Sequence, residues 1–416
     1  MRRVAAVSVA GMAASLALAA CGDDSGGGGG SASGGSGDCS APGVTDDSIT
    51  VATVSPLTGP SATTFAGFVE AAEARFAVAN DEGGVGGRTI EVVTNDDLGD
   101  GAQQTTAARN AVQEQDAFAI LSASRVDTMF DYLATQSVPV VGYMGQPAYL
   151  EDENVFGFAG AGNIGYFSSS FILKMQELGA TNVAVVAHNS PGSINSANGF
   201  IQAAEAEGLD VGVQSFDVPL GSFDATALAI QMKNAGVDSI YAPTLTDSSV
   251  SILRAAQDQG VGITVPFLSS VYDPAVADQI SDLIQGVVTT TLAVVPLEVT
   301  DDEAVQTYVA TMEEHAPDID PATGFASAGY LSADLFLRGV EEAGDCLSRA
   351  SFMEALRGVT DYDGGGYLIE PARFSGGDAP NGGQPYGSCA WFVTREGDEW
   401  VPDEEATCGE LIPIES

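Results

Sequence analysis

From residue 48 onward the chain alternates two kinds of segment. Short apolar runs are succeeded by stretches of about ten to twenty residues whose apolar positions recur every three to four places. The runs "SITVATV" (48–54), "TIEVVT" (89–94), "AFAIL" (117–121), "VPVVGY" (138–143), "NVAVVA" (182–187), "DVGVQSF" (210–216), "DSIYAP" (238–243) and "VPFLS" (265–269) read as strands. Helices are predicted between them, near 64–80, 102–115, 126–136, 164–178, 194–207, 223–235, 247–259 and 273–284. In "FAGFVEAAEARFAVAN", Phe65, Phe68, Val69, Ala72, Phe76 and Ala79 share one helical stripe, with Glu70 and Glu73 off it. Alternation of this kind predicts an α/β chain: parallel sheets, helices on both faces and right-handed crossovers.

The rhythm breaks at "NVFGFAGAGNIG" (154–165) and again at the apolar run "GVVTTTLAVVP" (286–296). Helices are then predicted near 302–314, 323–343 and 349–357, succeeded by Gly-rich sequence and a hairpin around Arg395–Asp398. Breaks near 160 and 290, with a third suspected near 360, divide the chain into two discontinuous lobes. The first takes 44–162 and 290–358, the second 163–289 and 359–416.

Open α/β sheets bind ligands in the crevice outside the carboxyl ends of their strands, so the residues at each strand's carboxyl end are candidates for the site. The first strand leads into Ser55 and Thr58, the third into Ser122 and Ser124, the fourth into Met144, Gly145 and Gln146. Later ends supply Ser190, then Thr246 and Asp247, then Tyr272 and Asp273. Hydroxyls with an occasional Met or Tyr and few charges suit a small, partly apolar ligand with one or two polar groups. Ser, Thr and Asp at strand–helix junctions are also ordinary helix caps, so each candidate carries two readings. Arg125, beside Ser124, fits either a bidentate contact to a ligand carboxylate or an ion pair with Asp131 on its own helix; the structural role is preferred.

The ends of the chain add an address. Arg2 and Arg3, an apolar stretch and the sequence Leu18-Ala19-Ala20-Cys21 read as a signal peptide (1–20) ending in a lipobox, with Cys21 as the lipidated residue. Residues 21–43, largely Gly and Ser, predict a flexible tether. The four later cysteines, Cys39, Cys346, Cys389 and Cys408, suit two disulfides in an exported protein, with three pairings open. The pairing expected is Cys346 with Cys389 and Cys39 with Cys408. A net charge of −43 disfavours nucleic acid and anionic lipid as partners, leaving the lipid anchor as the one expected membrane contact.

Competing chemistries find little support. Gly160-Ala161-Gly162-Asn163-Ile164-Gly165 matches G-x-G-x-x-G, but no acid ends the next strand to hold a ribose. No P-loop, nucleophile elbow or C-x-x-C occurs, and His188 and His315 are the only histidines. His188 is expected to hydrogen-bond within its loop or at the cleft rim. Neither a cofactor nor a metal is expected, and the acidic turn Asp96–Asp100 lacks the ligand pattern of a calcium loop.

The ordered set Thr58-Gly59-Pro60, Asn80 with Gly83-Gly84-Val85-Gly86-Gly87-Arg88, and Asp96-Asp97 resembles the leucine/isoleucine/valine-binding protein family, the type I periplasmic substrate-binding proteins of ABC transporters. The likeness continues through "NVAVVAHNSPGS", "GVDSIYAPTLTDSSVSILRAAQDQG" and "GYLSADLFLRGVEEAG". It implies two Rossmann-like lobes joined by three crossovers and closing on a ligand in the cleft between them. It also implies a non-enzymatic, monomeric receptor, lipid-anchored outside the cell membrane, that delivers a small ligand to ABC permease subunits. The Ser122–Ser124 turn and the Met144–Gln146 backbone would hold a ligand carboxylate, and Asp247 or Asp273 an ammonium. A branched-chain amino acid is the first expectation. Pro191-Gly192 stands where the family usually has an aromatic residue, which opens the way to aromatic acids or amide and urea-like solutes. A sensor of the same fold and, more remotely, a cleft hydrolase are the alternative functions.

Overall fold

The computed structural model describes residues 41–143, 145–159, 165–269, 271–291, 293–375 and 387–414, all within the compact unit Asp38–Ser416. The signal peptide, most of the tether, Cys21, Cys39, Met144 and the Gly160–Ile164 part of the G-x-G-x-x-G match lie outside them.

The first lobe opens with β1 (Ser48–Ser55), whose residues are almost all buried, as a strand covered on both faces requires. Next come α1 (Ala62–Phe65), α2 (Phe68–Asp81), β2 (Thr89–Asp96), α3 (Gly101–Gln113), β3 (Ala119–Ser122), α4 (Phe130–Thr135), β4 (Val140–Gly142), α5 (Ala148–Glu151) and β5 (Val155–Gly157). They build a five-stranded parallel sheet in the order β2-β1-β3-β4-β5. The second lobe comprises β6 (Tyr166–Ser168), α6 (Ser170–Glu177), β7 (Asn182–His188), α7 (Pro191–Glu207), β8 (Asp210–Val218), α8 (Thr226–Ala235), β9 (Ser239–Ala242), α9 (Thr246–Gln259), β10 (Val265–Leu268), α10 (Pro274–Gln279) and β11 (Val288–Thr290).

The chain then returns to the first lobe with α11 (Glu303–His315), α12 (Ala326–Ala343) and α13 (Arg349–Gly358). It ends with β12 (Cys389–Ala390), β13 (Phe392–Glu396), β14 (Glu399–Pro402), β15 (Thr407–Cys408) and β16 (Leu411–Pro413). The second sheet runs β14-β13-β11-β10-β9-β7-β8; its five strands from β11 to β8 are parallel, and the antiparallel β13–β14 hairpin turns at Glu396–Glu399 as expected.

Two helices, α2 and α12, cover one face of the first sheet, and their close approach depends on Gly329. A Cβ there would stand 1.9 Å from the Phe68 carbonyl oxygen. T-shaped ring contacts of Phe76 and Phe118 with Phe336, and of Phe118 with Phe352, fill the space beneath.

Several expectations shift. The segment "NVFGF" is not merely a break, because it supplies β5. The helices placed at 126–136 and 273–284 shorten to α4 and α10, since loops at the strand ends occupy the remainder. The third boundary falls later than residue 358: Tyr362, Tyr367, Leu368, Ala372 and Phe374 all pack in the first lobe's core. The disulfide pairing is also corrected. Cys389 and Cys408 face each other across the antiparallel β12–β15 pair and are bonded, with Cα atoms 3.9 Å apart. Cys346 is disulfide-bonded too, and so is not the partner of Cys389.

Candidate functional site

In each sheet the strand order reverses beside its first strand, between β1 and β3 and between β7 and β9, and these reversals open crevices at the carboxyl ends. A cavity of ≈ 880 Å³, partly open to solvent, lies there, bordered from both lobes. Arg125 and Tyr143 reach it from the ends of β3 and β4; Gly192, Pro243 and Ser269 reach it from the ends of β7, β9 and β10.

Arg125 is the electrostatic centre of this space. Its side chain makes no ion pair with any described residue, and its Nε is shut off from solvent with no hydrogen-bond partner among them. The expected pair with Asp131 is therefore absent; Arg125 lies in the loop before α4 and faces the cavity rather than its own helix. Burial lowers the Arg125 pKa, opposed by the neighbouring Tyr143 and Tyr241 phenols. A guanidinium stays protonated even so, leaving a half-buried positive charge without a counter-ion among the described residues.

The walls are aromatic. Tyr241 stacks on Phe267 (5.4 Å between ring centroids, 22° between planes), and its hydroxyl lies 2.9 Å from Ser196 Oγ. Phe171 meets Phe267 edge-on, while Tyr143 and Phe325 make a T-shaped pair from the first lobe. Gly192, in the first turn of α7, brings that 17-residue helix's amino-terminal end to the rim, where its dipole favours an anion. No described residue bordering the cavity carries a carboxylate.

The remaining candidates fall into three groups. Gly145 borders the cavity. Several others are engaged within the protein. Thr58 Oγ1 donates to Asp96 Oδ2 at 2.6 Å, and Ser122 Oγ donates to the Val54 carbonyl at 2.9 Å. Ser124 bonds Asp97 and lies 3.5 Å from the Val126 amide, and the Gln146 amide donates to the Ser124 carbonyl. Ser55 and Ser190 are buried with no partner for their hydroxyls among the described residues.

A third group joins the lobes. Thr246 Oγ1 lies 3.2 Å from Thr64 Oγ1. Asp273 caps α10 through the Val276 amide (3.1 Å) and also accepts the Gly324 amide of the first lobe (2.9 Å). Tyr272 donates to Glu298 of the first lobe at 2.8 Å. Asp247 belongs to none of the three groups: it is solvent-exposed in the first turn of α9.

His188 is occupied at both nitrogens. Nδ1 lies 3.1 Å from the Val218 carbonyl, and Nε2 accepts the Leu245 amide at 2.8 Å, which assigns the proton to Nδ1. Neither nitrogen is free to take a proton from a substrate. Sequence reasoning missed Phe171, Tyr241, Phe267, Phe325 and the segment at Gly387–Ala390, all of which border the cavity. Tyr241 and Phe267 sit inside predicted strands, where an aromatic residue reads as core; the others come from distant parts of the chain.

The chain matches the Periplasmic binding protein family over residues 48–396. It belongs to that family. Within it, this type I periplasmic binding protein is of the Leu/Ile/Val-binding-protein-like kind. A Leu/Ile/Val-binding protein homolog from Brucella melitensis biotype 1 is 26% identical over 243 residues, 53% of this chain and 62% of the relative, so the match spans less than two thirds of that protein. Among solved structures, a fatty acid ABC transporter substrate-binding protein from Thermomonospora curvata superposes with a TM-score of 0.72 at 20% identity, over 89% of this chain and 95% of that one. An ABC transporter solute-binding protein from R. palustris, in complex with benzoate, gives 0.69 at 17%, over 87% and 97%. These likenesses establish the two-lobed fold of the periplasmic binding protein.

Proposed function

We propose that this chain is the extracytoplasmic receptor of an ABC importer and that it binds a small apolar carboxylate. The ligand's carboxylate would pair with Arg125 near the amino-terminal end of α7, and its apolar body would lie between Tyr143, Phe171, Tyr241 and Phe267. Contacts to both lobes favour the closed clamp, and the closed form would dock on the permease. Lipid at Cys21 would hold the receptor at the outer face of the cell membrane.

One observation carries this reading: a half-buried guanidinium, its Nε shut from solvent and without a described counter-ion, faces an aromatic cavity whose described border offers no carboxylate. An amino acid would leave its ammonium without a charged partner there, at a cost that a simple carboxylate avoids. Benzoate in the R. palustris protein suits the same kind of ligand, while the Brucella relative's name keeps branched-chain amino acids in the test panel.

The experiment is a thermal-shift panel pairing leucine, valine and phenylalanine with their deaminated counterparts and with benzoate. A ligand at 100 times its Kd stabilises by about 2.7 kcal/mol. The deaminated acids are expected to give the larger shifts, and Arg125→Met to abolish them. Larger shifts with the amino acids would reverse the assignment.

A further inference from the structure

A second cavity, of ≈ 520 Å³ and partly open to solvent, shares border residues with the first. Thr290 and Phe325 border both spaces. The second crossover borders both spaces: Ala293 faces the Arg125 cavity, while Thr291, Val294 and Val295 face the other. Tyr272 of the second lobe and Gly324 of the first also line the second space, so it too is bordered by both lobes.

Its chemistry differs from the first. None of the described residues bordering it is charged. Several of its hydroxyls are turned to protein: Thr64 Oγ1 to Thr246, Thr291 Oγ1 to the Val294 carbonyl, and Tyr272 to Glu298. The space is therefore faced largely by methyl groups and rings, among them Val294, Val295, Leu297 and Tyr367. Such a space adds no second polar anchor. It suits an apolar continuation of whatever Arg125 holds.

We infer that the second cavity is the tail subsite of the same ligand. The native substrate class is thus an elongated monocarboxylate, such as a medium-chain aliphatic or aryl-alkanoic acid, with its head at Arg125 and its tail passing Phe325 and Thr290. The inference rests on the carboxylate reading and adds the ligand's length to it. Phe325 is the residue that determines passage. Its backbone is held by the Phe325 amide to the Ala66 carbonyl (2.9 Å), so only its ring, packed on Phe65 and Tyr143, can shift to admit a chain.

The test is calorimetric titration of the full chain with straight-chain carboxylates from butanoate to decanoate. Where a tail enters an apolar subsite, each methylene should tighten binding roughly fourfold. The rise is expected to continue past the length that fills the Arg125 cavity. Ser327→Leu, which fills the second cavity from its border, should remove the gain for the longest acids by tenfold or more and leave the short ones unchanged. Val294→Ala, which enlarges the cavity, should move the optimum to a longer chain.

A plateau or loss of affinity at the longer acids would overturn the inference, as would decanoate binding unaltered by Ser327→Leu. Should that variant fail to fold, an optimum left unmoved by Val294→Ala overturns it alone. The two levels separate cleanly. If short carboxylates bind in an Arg125-dependent way and long ones do not, only the tail subsite falls. If no carboxylate binds, or Arg125→Met binds as well as wild type, the carboxylate reading falls with it.

Discussion

His188 shows how one buried side chain ties three strand ends together. It closes β7, receives the amide of Leu245 ahead of α9, and donates from Nδ1 to the Val218 carbonyl at the end of β8. Burial above all, with a smaller push from Arg125, holds its pKa at about 4 against an ordinary 6.5. The unfolded chain therefore binds this proton at a higher pH than the folded one. The associated stability is complete above about pH 6.5, erodes as pH falls through that value, and is gone below about 4, a total of about 3 kcal/mol. The imidazole resonances of His188 should stay constant from neutral pH to about pH 5 in a nuclear magnetic resonance titration; a midpoint near 6.5 would contradict the burial. Arg125 makes the opposite kind of prediction. A half-buried charge with no described counter-ion destabilises the empty receptor, so Arg125→Met should raise the melting temperature without ligand, by about 1 kcal/mol in stability, while abolishing ligand-induced shifts. Its isolation was not legible in the sequence, where Asp131 stood ready as a partner.

At the scale of elements, α7 decides how closely the lobes approach. Its first turn is Pro191-Gly192-Ser193, and a Cβ on Gly192 would lie 2.6 Å from the Gly145 carbonyl of the opposite lobe. Gly192→Val should therefore hold the clamp ajar. Ligand affinity is expected to fall tenfold or more and the radius of gyration with ligand to stay larger than wild type, by small-angle scattering, while the melting temperature of the empty protein changes little. Pro191-Gly192 was legible as a departure from its family, but not its reason, which is a contact between segments about fifty residues apart in sequence. The elements themselves were more legible. Strands such as "NVAVVA" announce a covered parallel strand locally, through branched apolar residues in an unbroken run. Short elements were not, because β5 and β11 have three residues each and owe their pairing to neighbours. The Cys389–Cys408 bond belongs to the same class: two short strands set side by side made it, and no local signal distinguished it from Cys346–Cys389.

For the molecule as a whole, few polar contacts among the described residues join the lobes, and Asp273 is the most informative. One oxygen of its carboxylate caps α10; the other accepts the Gly324 amide, immediately before Phe325, which borders both cavities. The first task is internal to one lobe and the second joins the two lobes. A substitution can separate them. Asn is as good a helix cap as Asp, so Asp273→Asn should keep α10 and the melting temperature of the empty protein near wild type. It replaces a charge-assisted bond to Gly324 with a neutral one at best, a loss of about 1 kcal/mol from the closed state. That corresponds to roughly a fivefold weaker ligand, expressed mainly as faster dissociation, since closure traps a ligand already bound. Asp273→Ala removes both tasks, and its affinity loss should come with a lower melting temperature. Stopped-flow dissociation rates beside thermal melts distinguish the two. An Asp273→Asn variant that releases ligand at the wild-type rate would show that the aromatic walls and Arg125 hold the lobes together without this latch.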